Sequence, residues 1–311
     1  MHVTTNPVTD FQTTTTAQQL NEMESILADL RPIAKFKVRS HETSKTVHIP
    51  LLLRQSHSSS QDPTVVLLGD SMFERMTTTG ESPNLVAPWP SPAMMSDDKM
   101  HALFDLDGKE VERTEGKIEK ENERNNGRRL HGVFNAGVGG DRIQNLAYRL
   151  VGSGNDANAD TETGEINLPG LLPVLAARGT AKVWVVHAGT NNLSPKKGLS
   201  DGDADALRRV VGAVLQANPE KGRCKVLVTG LFYRRDVSKE LVDLANDKVK
   251  RAVEMLQEQC GTERVTYLPP AAAVKPEEHL VDHVHLSLDG YQLWAEELFP
   301  KVASILDSVG R

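Results

Sequence analysis

The chain has 311 residues and a mass of 34.1 kDa, with 39% hydrophobic and 25% charged side chains, enough apolar material for one large α/β domain or two modest ones. Its 23 glycines and 16 prolines follow no fixed period, which excludes a fibrous or collagen-like protein. Lys plus Arg number 36 against 42 for Asp plus Glu, a net charge of -6, so the chain repels polyanions on average and no nucleic-acid partner is expected.

Residues 1–16 hold seven Thr and little to bury, a composition expected to be disordered. The segment has neither the apolar run of a secretory signal nor the arginines of a typical mitochondrial presequence, and its Thr content keeps organellar targeting open. Without any run of 18 apolar residues, no transmembrane segment is expected, and a cytoplasmic protein is the default. From Ala17 to Leu30, the positions Leu20, Met23, Leu27 and Leu30 fall on one helical face. That face is expected to pack on the domain; the alternative is a partner, including a second copy in a homo-oligomer. A short strand is expected at Thr46–Leu53, followed by the polar linker RQSHSSSQDP. Residues 1–63 thus read as an N-terminal extension, largely flexible apart from the helix.

The regular part begins with TVVLLGD at 64–70, a short apolar run ending in a turn. HGVFNAG at 131–137, AKVWVVHAG at 181–189, KVLVTG at 225–230 and VTYLP at 265–269 repeat the pattern, with helical periodicities between them and a last helix at 290–308. Strands apolar on both faces and alternating with helices signal a mostly parallel sheet covered on both sides. The expected fold is a three-layer α/β/α sandwich with five strands over residues 64–308. A charged insertion at 91–129 interrupts it. Between Asp97 and Arg124 it carries ten acids and six bases, which suits a solvated loop or frayed helix near the mouth of the first strand.

In open parallel sheets, ligands bind beyond the carboxyl ends of the strands. There the sequence places Gly69-Asp70-Ser71, then Asn135 to Asp141, Gly189-Thr190-Asn191-Asn192 and, after the fifth strand, Asp282-His283-Val284-His285. Each piece has an ordinary explanation: Ser71 as a helix N-cap, GVGGD as a fragment of a nucleotide loop, Asn191 as a cap, and Asp282 with His285 as a surface pair. Together they nearly complete a set for acyl transfer. A hydroxyl at a tight turn needs a base, which His283 or His285 can supply, and the base needs an orienting acid such as Asp282. The Gly run and the Asn191 amide can provide donors to an oxyanion.

GDS at 69–71, NAGVGGD at 135–141, GTNN at 189–192 and DHVHLS at 282–287 occur in the order seen in GDSL/SGNH hydrolases. The chain resembles that family, and within it the intracellular platelet-activating factor acetylhydrolase catalytic subunits and related acetylesterases. GLFYRRD at 230–236, with the helix containing Asn246, is similar to a further region of that group. The resemblance implies a flavodoxin-like fold, with Ser71 as nucleophile, His285 as base and Asp282 as its orienting acid. It implies an oxyanion hole built from Ser71 N–H, Gly140 N–H and the Asn191 side chain. The long gap between the first two motifs and the N-terminal extension depart from the family pattern, and both bear on the substrate.

The expected activity is therefore hydrolysis of carboxylic esters, short-acyl or acetyl esters by resemblance, through an acyl-enzyme and without metal or organic cofactor. The substrate is expected to be a small ester, whether phospholipid-like, an acetylated sugar or a simple ester, and lipid metabolism is one setting for it. One alternative is a metal-dependent phosphoesterase using Asp70, His279, Asp282, His283 and His285; another is a catalytically inactive binding or scaffold protein on the same fold. Cys224 and Cys260 are too few for a disulfide framework and read as free thiols or one incidental bridge.

Overall fold

The computed structural model describes residues 17–54, 63–77, 104–105, 130–153, 168–217 and 224–309. Its centre is a sheet of five parallel strands, β1 (Val65–Gly69), β2 (Val133–Gly137), β3 (Val183–His187), β4 (Lys225–Thr229) and β5 (Val265–Leu268). They lie in the order β2-β1-β3-β4-β5. Val65 stands between Val133 and Val183, and the register continues to Gly69, which pairs with Gly137 and His187. This is the flavodoxin-like strand order, and it opens a crevice between the carboxyl ends of β1 and β3, where successive connections leave in opposite directions. The five runs read from the sequence are these five strands. Two further two-residue strands, Phe104–Asp105 and Leu130–His131, pair in parallel outside the sheet. Apart from residues 104–105, the charged stretch at 91–129 lies outside the described residues, as do residues 1–16.

Alternation along each strand sends neighbouring side chains into two separate cores. Val66, Leu68, Trp184 and Val186 face one layer. It holds α1 (Ala17–Leu30), α5 (Ile143–Val151), α6 (Leu171–Arg178), α7 (Asp201–Ala217) and α8 (Lys239–Cys260). Val65, Leu67, Val183 and Val185 face the other, which is formed by α4 (Ser71–Thr77) and α10 (Leu288–Val309). Both faces of β1 are wholly buried, which is why its sequence runs apolar without alternating. The short α9 spans Pro276–His279.

Residues 17–54 pack on this domain. In α1, Ile26, Leu27 and Leu30 are buried against α7 and α5 while Leu20, expected on the same face, is exposed. The strand expected at Thr46–Leu53 does not form. The chain there is helical, with α2 at Val38–Thr43, a π turn at Ser44–His48 and α3 at Ile49–Arg54. Ser40, Ser44, His48 and Leu52 are buried at intervals of four, with Ile49 beside them, a helical stripe that two serines and a histidine hid from a purely apolar reading. The wide turn lies directly ahead of Pro50, whose missing N–H a regular helix could not use. The Arg178 guanidinium bonds to the Leu52 carbonyl and ties α3 to α6. Cys224 is buried and Cys260 partly buried, and neither is in a disulfide.

One buried ion pair gathers the strand ends. Asp141 follows β2, and Arg149 lies on α5; both side chains are fully buried, with Nε 2.7 Å from Oδ2. The same guanidinium donates to Ala136 O at 2.7 Å and Gly69 O at 2.9 Å, so one side chain links the ends of β2 and β1. The other Asp141 oxygen accepts from Ser40 Oγ at 2.5 Å and lies 3.5 Å from Lys37 Nζ.

Leu30→Ala should cost about 2–5 kcal/mol in urea unfolding, since Leu30 is wholly buried; a near-neutral result would place α1 outside the cooperative unit. Arg149→Met should cost about 3–5 kcal/mol by leaving a buried carboxylate without its main partner. Asp141→Asn combined with Arg149→Met should then cost less than the sum of the single changes, because the two sites share one interaction.

Candidate active site

Gly69 ends β1 where no side chain fits: a Cβ would lie 2.5 Å from His187 O and 2.7 Å from the Phe73 ring. The chain then turns directly into α4. Asp70 supplies the cap, its Oδ1 accepting from Met72 N at 3.0 Å. Ser71 is therefore the first residue of the helix rather than its cap, and its N–H has no carbonyl four residues earlier within the helix. Its hydroxyl is directed elsewhere, with Oγ 3.0 Å from His285 Nε2.

His285 and Asp282 lie on the loop before α10. His285 Nδ1 is 2.7 Å from Asp282 Oδ2, and a carboxylate can only accept, so Nδ1 carries the proton and Nε2 is the acceptor facing Ser71. Asp282 Oδ1 meanwhile accepts from the backbone N–H groups of Val284 and His285 at 2.8 and 2.7 Å. Burial alone would raise the Asp282 carboxyl, but the His285 ring and these two N–H groups hold it well below the usual carboxylate range. For His285, burial outweighs the carboxylate and lowers the imidazole below its ordinary value, with Arg75 acting in the same direction. The ring is thus neutral at neutral pH and able to accept a proton.

His283, two residues earlier, points away. Its Nε2 lies 4.0 Å from Asp236 Oδ2, and the side chain is largely exposed. Its carbonyl accepts from Arg235 N at 2.9 Å. The Arg235 guanidinium donates to Pro276 O, Glu277 O and Leu280 O at 3.0–3.2 Å, so GLFYRRD clamps the loop bearing Asp282 and His285. Beside it, Arg234 donates to Thr190 O at 2.6 Å while pairing with Asp236. The clamp could not be read from sequence, because its acceptors are main-chain carbonyls some 40 residues away.

Val138 to Asp141 form a turn closed by Asp141 N on Val138 O at 3.1 Å. Gly140, at its third position, has φ +74° and is exposed, the backbone a type II turn requires and an L side chain resists. Asn191 follows β3 and donates from Nδ2 to Asp141 O at 2.9 Å; its contact to Asp70 Oδ2 is 3.5 Å. The structure therefore joins Ser71, His285 and Asp282 in one hydrogen-bonded chain and couples Asn191 to the Gly140 turn through Asp141. The neighbouring Asn192 serves packing: its Oδ1 accepts from Ile143 N at 3.0 Å and its Nδ2 donates to Asp203 at 2.6 Å.

Beneath the site, burial pushes the Asp70 carboxyl up to about 7, against the pull of Met72 N–H and the Thr190 hydroxyl. Thr190 Oγ1 is 3.2 Å from His187 Nε2, and His187 Nδ1 is 2.8 Å from Thr229 Oγ1. Burial lowers His187 to about 3, a neutral ring among Phe73, Phe232 and Trp294. The histidines and acids that a metal centre would need are dispersed: His279 Nδ1 accepts from Lys275 N, His283 faces Asp236, and Asp70 lies buried. No group of three His, Cys, Asp or Glu side chains among the described residues converges as a ligand set. No helix among the described residues is long and apolar enough to cross a membrane.

A comparison with curated proteins returns no match. Solved structures similar to this chain include a carbohydrate acetylesterase family member from Sinorhizobium meliloti, at 13% identity and TM-score 0.44 over 79% of this chain and 99% of that one. Another is a lipase/acylhydrolase from Enterococcus faecalis, at 16% identity and TM-score 0.42 over 78% and 96%. A third is a family two carbohydrate esterase from Cellvibrio japonicus, at 14% identity and TM-score 0.47 over 80% and 63%. The sequence model of the GDSL-like Lipase/Acylhydrolase family matches residues 107–293. The match begins after Ser71 and takes in Gly140, Asn191, Asp282 and His285. Spanning more than half of the chain, it shows that this protein belongs to the GDSL-like lipase/acylhydrolase family.

Proposed function

We propose that the protein is a serine-dependent carboxylic ester hydrolase that works through an acyl-enzyme, with Ser71 as nucleophile, His285 as base and Asp282 as its orienting acid. Membership of an acylhydrolase family supports an ester substrate. The observation that carries the serine mechanism is the hydrogen-bonded chain Asp282–His285–Ser71, at 2.7 and 3.0 Å. Short acyl groups, acetyl first, rest on the likeness of the four motifs to acetylhydrolases; the alcohol is a lysophospholipid, a sugar hydroxyl or a small alcohol.

His285 Nε2 takes the Ser71 proton as Oγ bonds to the ester carbonyl carbon, and the electron pair of the carbonyl moves to oxygen. The oxyanion is received by Ser71 N–H, Gly140 N–H and the Asn191 Nδ2 hydrogen that does not serve Asp141. The imidazolium, stabilised by the Asp282 carboxylate, returns its proton to the alkoxide as the C–O bond breaks. Water then attacks the acyl-Ser71, losing its proton to the same nitrogen, and the acid leaves as Ser71 recovers its hydrogen. Preorganised donors matter most here, because the charge they meet exists only during attack.

Ser71→Ala should remain folded and lose nearly all hydrolysis of a chromogenic acetyl ester, and an organophosphonate should label Ser71 in the parent protein. Comparable turnover by the purified Ser71→Ala protein would exclude the serine route. His285→Ala should be as inactive as Ser71→Ala, whereas His283→Ala should keep most of its kcat/KM; the reverse order would transfer the base role to His283.

The pH profile has a definite sign. Only neutral His285 can accept the serine proton, so kcat/KM should fall as pH drops through its pKa. Because that value lies below the ordinary imidazole range, the acid limb should have its midpoint below about 6.5, leaving activity flat through neutrality. A limb centred above 7 would contradict the burial that lowers this ring.

A further inference from the structure

The Gly139–Gly140 peptide is the central unit of the turn from Val138 to Asp141. A peptide in that position can rotate between the two common turn types, which differ mainly in which way it faces, and a Gly-Gly pair resists neither. Gly139 C=O and Gly140 N–H belong to this one planar, trans unit and point in opposite directions. Whatever holds the carbonyl therefore sets the direction of the N–H.

Lys37 holds it. Its Nζ donates to Gly139 O at 2.9 Å, with Asp141 Oδ1 further off at 3.5 Å. The lysine is fastened from both sides. Lys35 N donates to Gln144 O at 2.9 Å and Lys35 O accepts from Asn145 Nδ2 at 2.9 Å. Arg39 pairs with both oxygens of Glu74 on α4 at 2.9 Å, and Ser40 Oγ bonds to Asp141. The Lys37 side chain is 31% exposed, yet its backbone has little freedom to leave. An ammonium on the carbonyl also polarises the whole peptide, making the opposite N–H a stronger donor.

We propose that Lys37 is a positioning residue for the reaction: by clamping Gly139 O it keeps the Gly139–Gly140 peptide in the orientation that presents Gly140 N–H to the oxyanion, and strengthens that donor. This rests on the reading of Gly140 as an oxyanion donor. Lys37 itself touches no reacting atom. It lies outside the residues matched by the family model, so the N-terminal segment contributes to the chemistry rather than only covering the core.

The test uses the full chain with Lys37→Met, Lys37→Gln and Lys37→Arg, assayed on a chromogenic acetyl ester. Lys37→Met should lower kcat by about 10- to 100-fold, less than or comparable to the loss of a whole oxyanion donor, with KM within about threefold of the parent. Lys37→Arg should recover much of that loss, and Lys37→Gln, which keeps a neutral donor, should fall between; the Gln variant carries the test should the Met variant fail to fold. Binding of an alkyl trifluoromethyl ketone, whose hemiketal with serine places an oxyanion in the same site, should weaken in parallel with kcat/KM. A merely structural lysine would leave that parallel absent. Unchanged kcat, an effect confined to KM, or undiminished ketone affinity beside a lowered kcat would each overturn the role. Failure of the underlying reading looks different: Ser71→Ala would stay active, or the parent would not be labelled at Ser71 by an organophosphonate.

Discussion

The geometry around the candidate active site depends on one buried charge pair. Asp141 and Arg149 are both sealed from solvent, and each offsets the cost of burying the other's charge. Once paired, they have hydrogen-bonding capacity left over, and the fold uses it at the strand ends. Arg149 takes the last carbonyl of β1 and the Ala136 carbonyl one residue before the end of β2, while Asp141 offers one carboxylate oxygen to Ser40 and Lys37 and its main-chain carbonyl to Asn191. The pieces that carry Ser71, Gly140 and Asn191 are thereby held to a common point. A packed apolar contact would have given comparable stability without fixing three directions at once.

The opposite side of the site is held by a different device. The loop with Asp282 and His285 has little regular structure of its own, and Arg235 secures it through three main-chain carbonyls and its own N–H. Asp282 then fixes the histidine twice over, once through the ring and once through the backbone. The carboxyls of Asp282 and Asp70 consequently differ. Asp282 is kept anionic by abundant donors, whereas Asp70, deeply buried with weaker support, is raised to about 7. Only the first is suited to stabilise an imidazolium; the second is suited to cap α4.

The five strands were legible because all but the partly buried edge strand β5 are buried on both faces and so read as continuous apolar runs between turn residues. The helical stripe of residues 40–52 was not. Two of its buried positions are serines and one is a histidine, of which Ser40 bonds to the distant Asp141 and His48 packs on the Phe134 ring, and the β-branched run around Val47 imitated a strand. Leu20 showed the converse: periodicity placed it on the inner face of α1, but the core does not extend that far.

By itself, the sequence determined the layered α/β architecture, the strand ends at which chemistry could gather, and a short list of polar residues there, because these depend on local periodicity and on side chains near turns. The family resemblance singles out His285 over His283, and the tertiary structure supplies the reason that it is the one to meet Ser71, since neighbours on a loop diverge according to what clamps that loop. The structure decided that Asp70 rather than Ser71 caps the helix, and that Lys37, Ser40 and Arg149 govern the turn containing Gly140. Those relations join residues up to 214 positions apart through directional bonds. Such bonds leave no period in the sequence, because each needs only one donor and one acceptor, and the fold alone brings the two together.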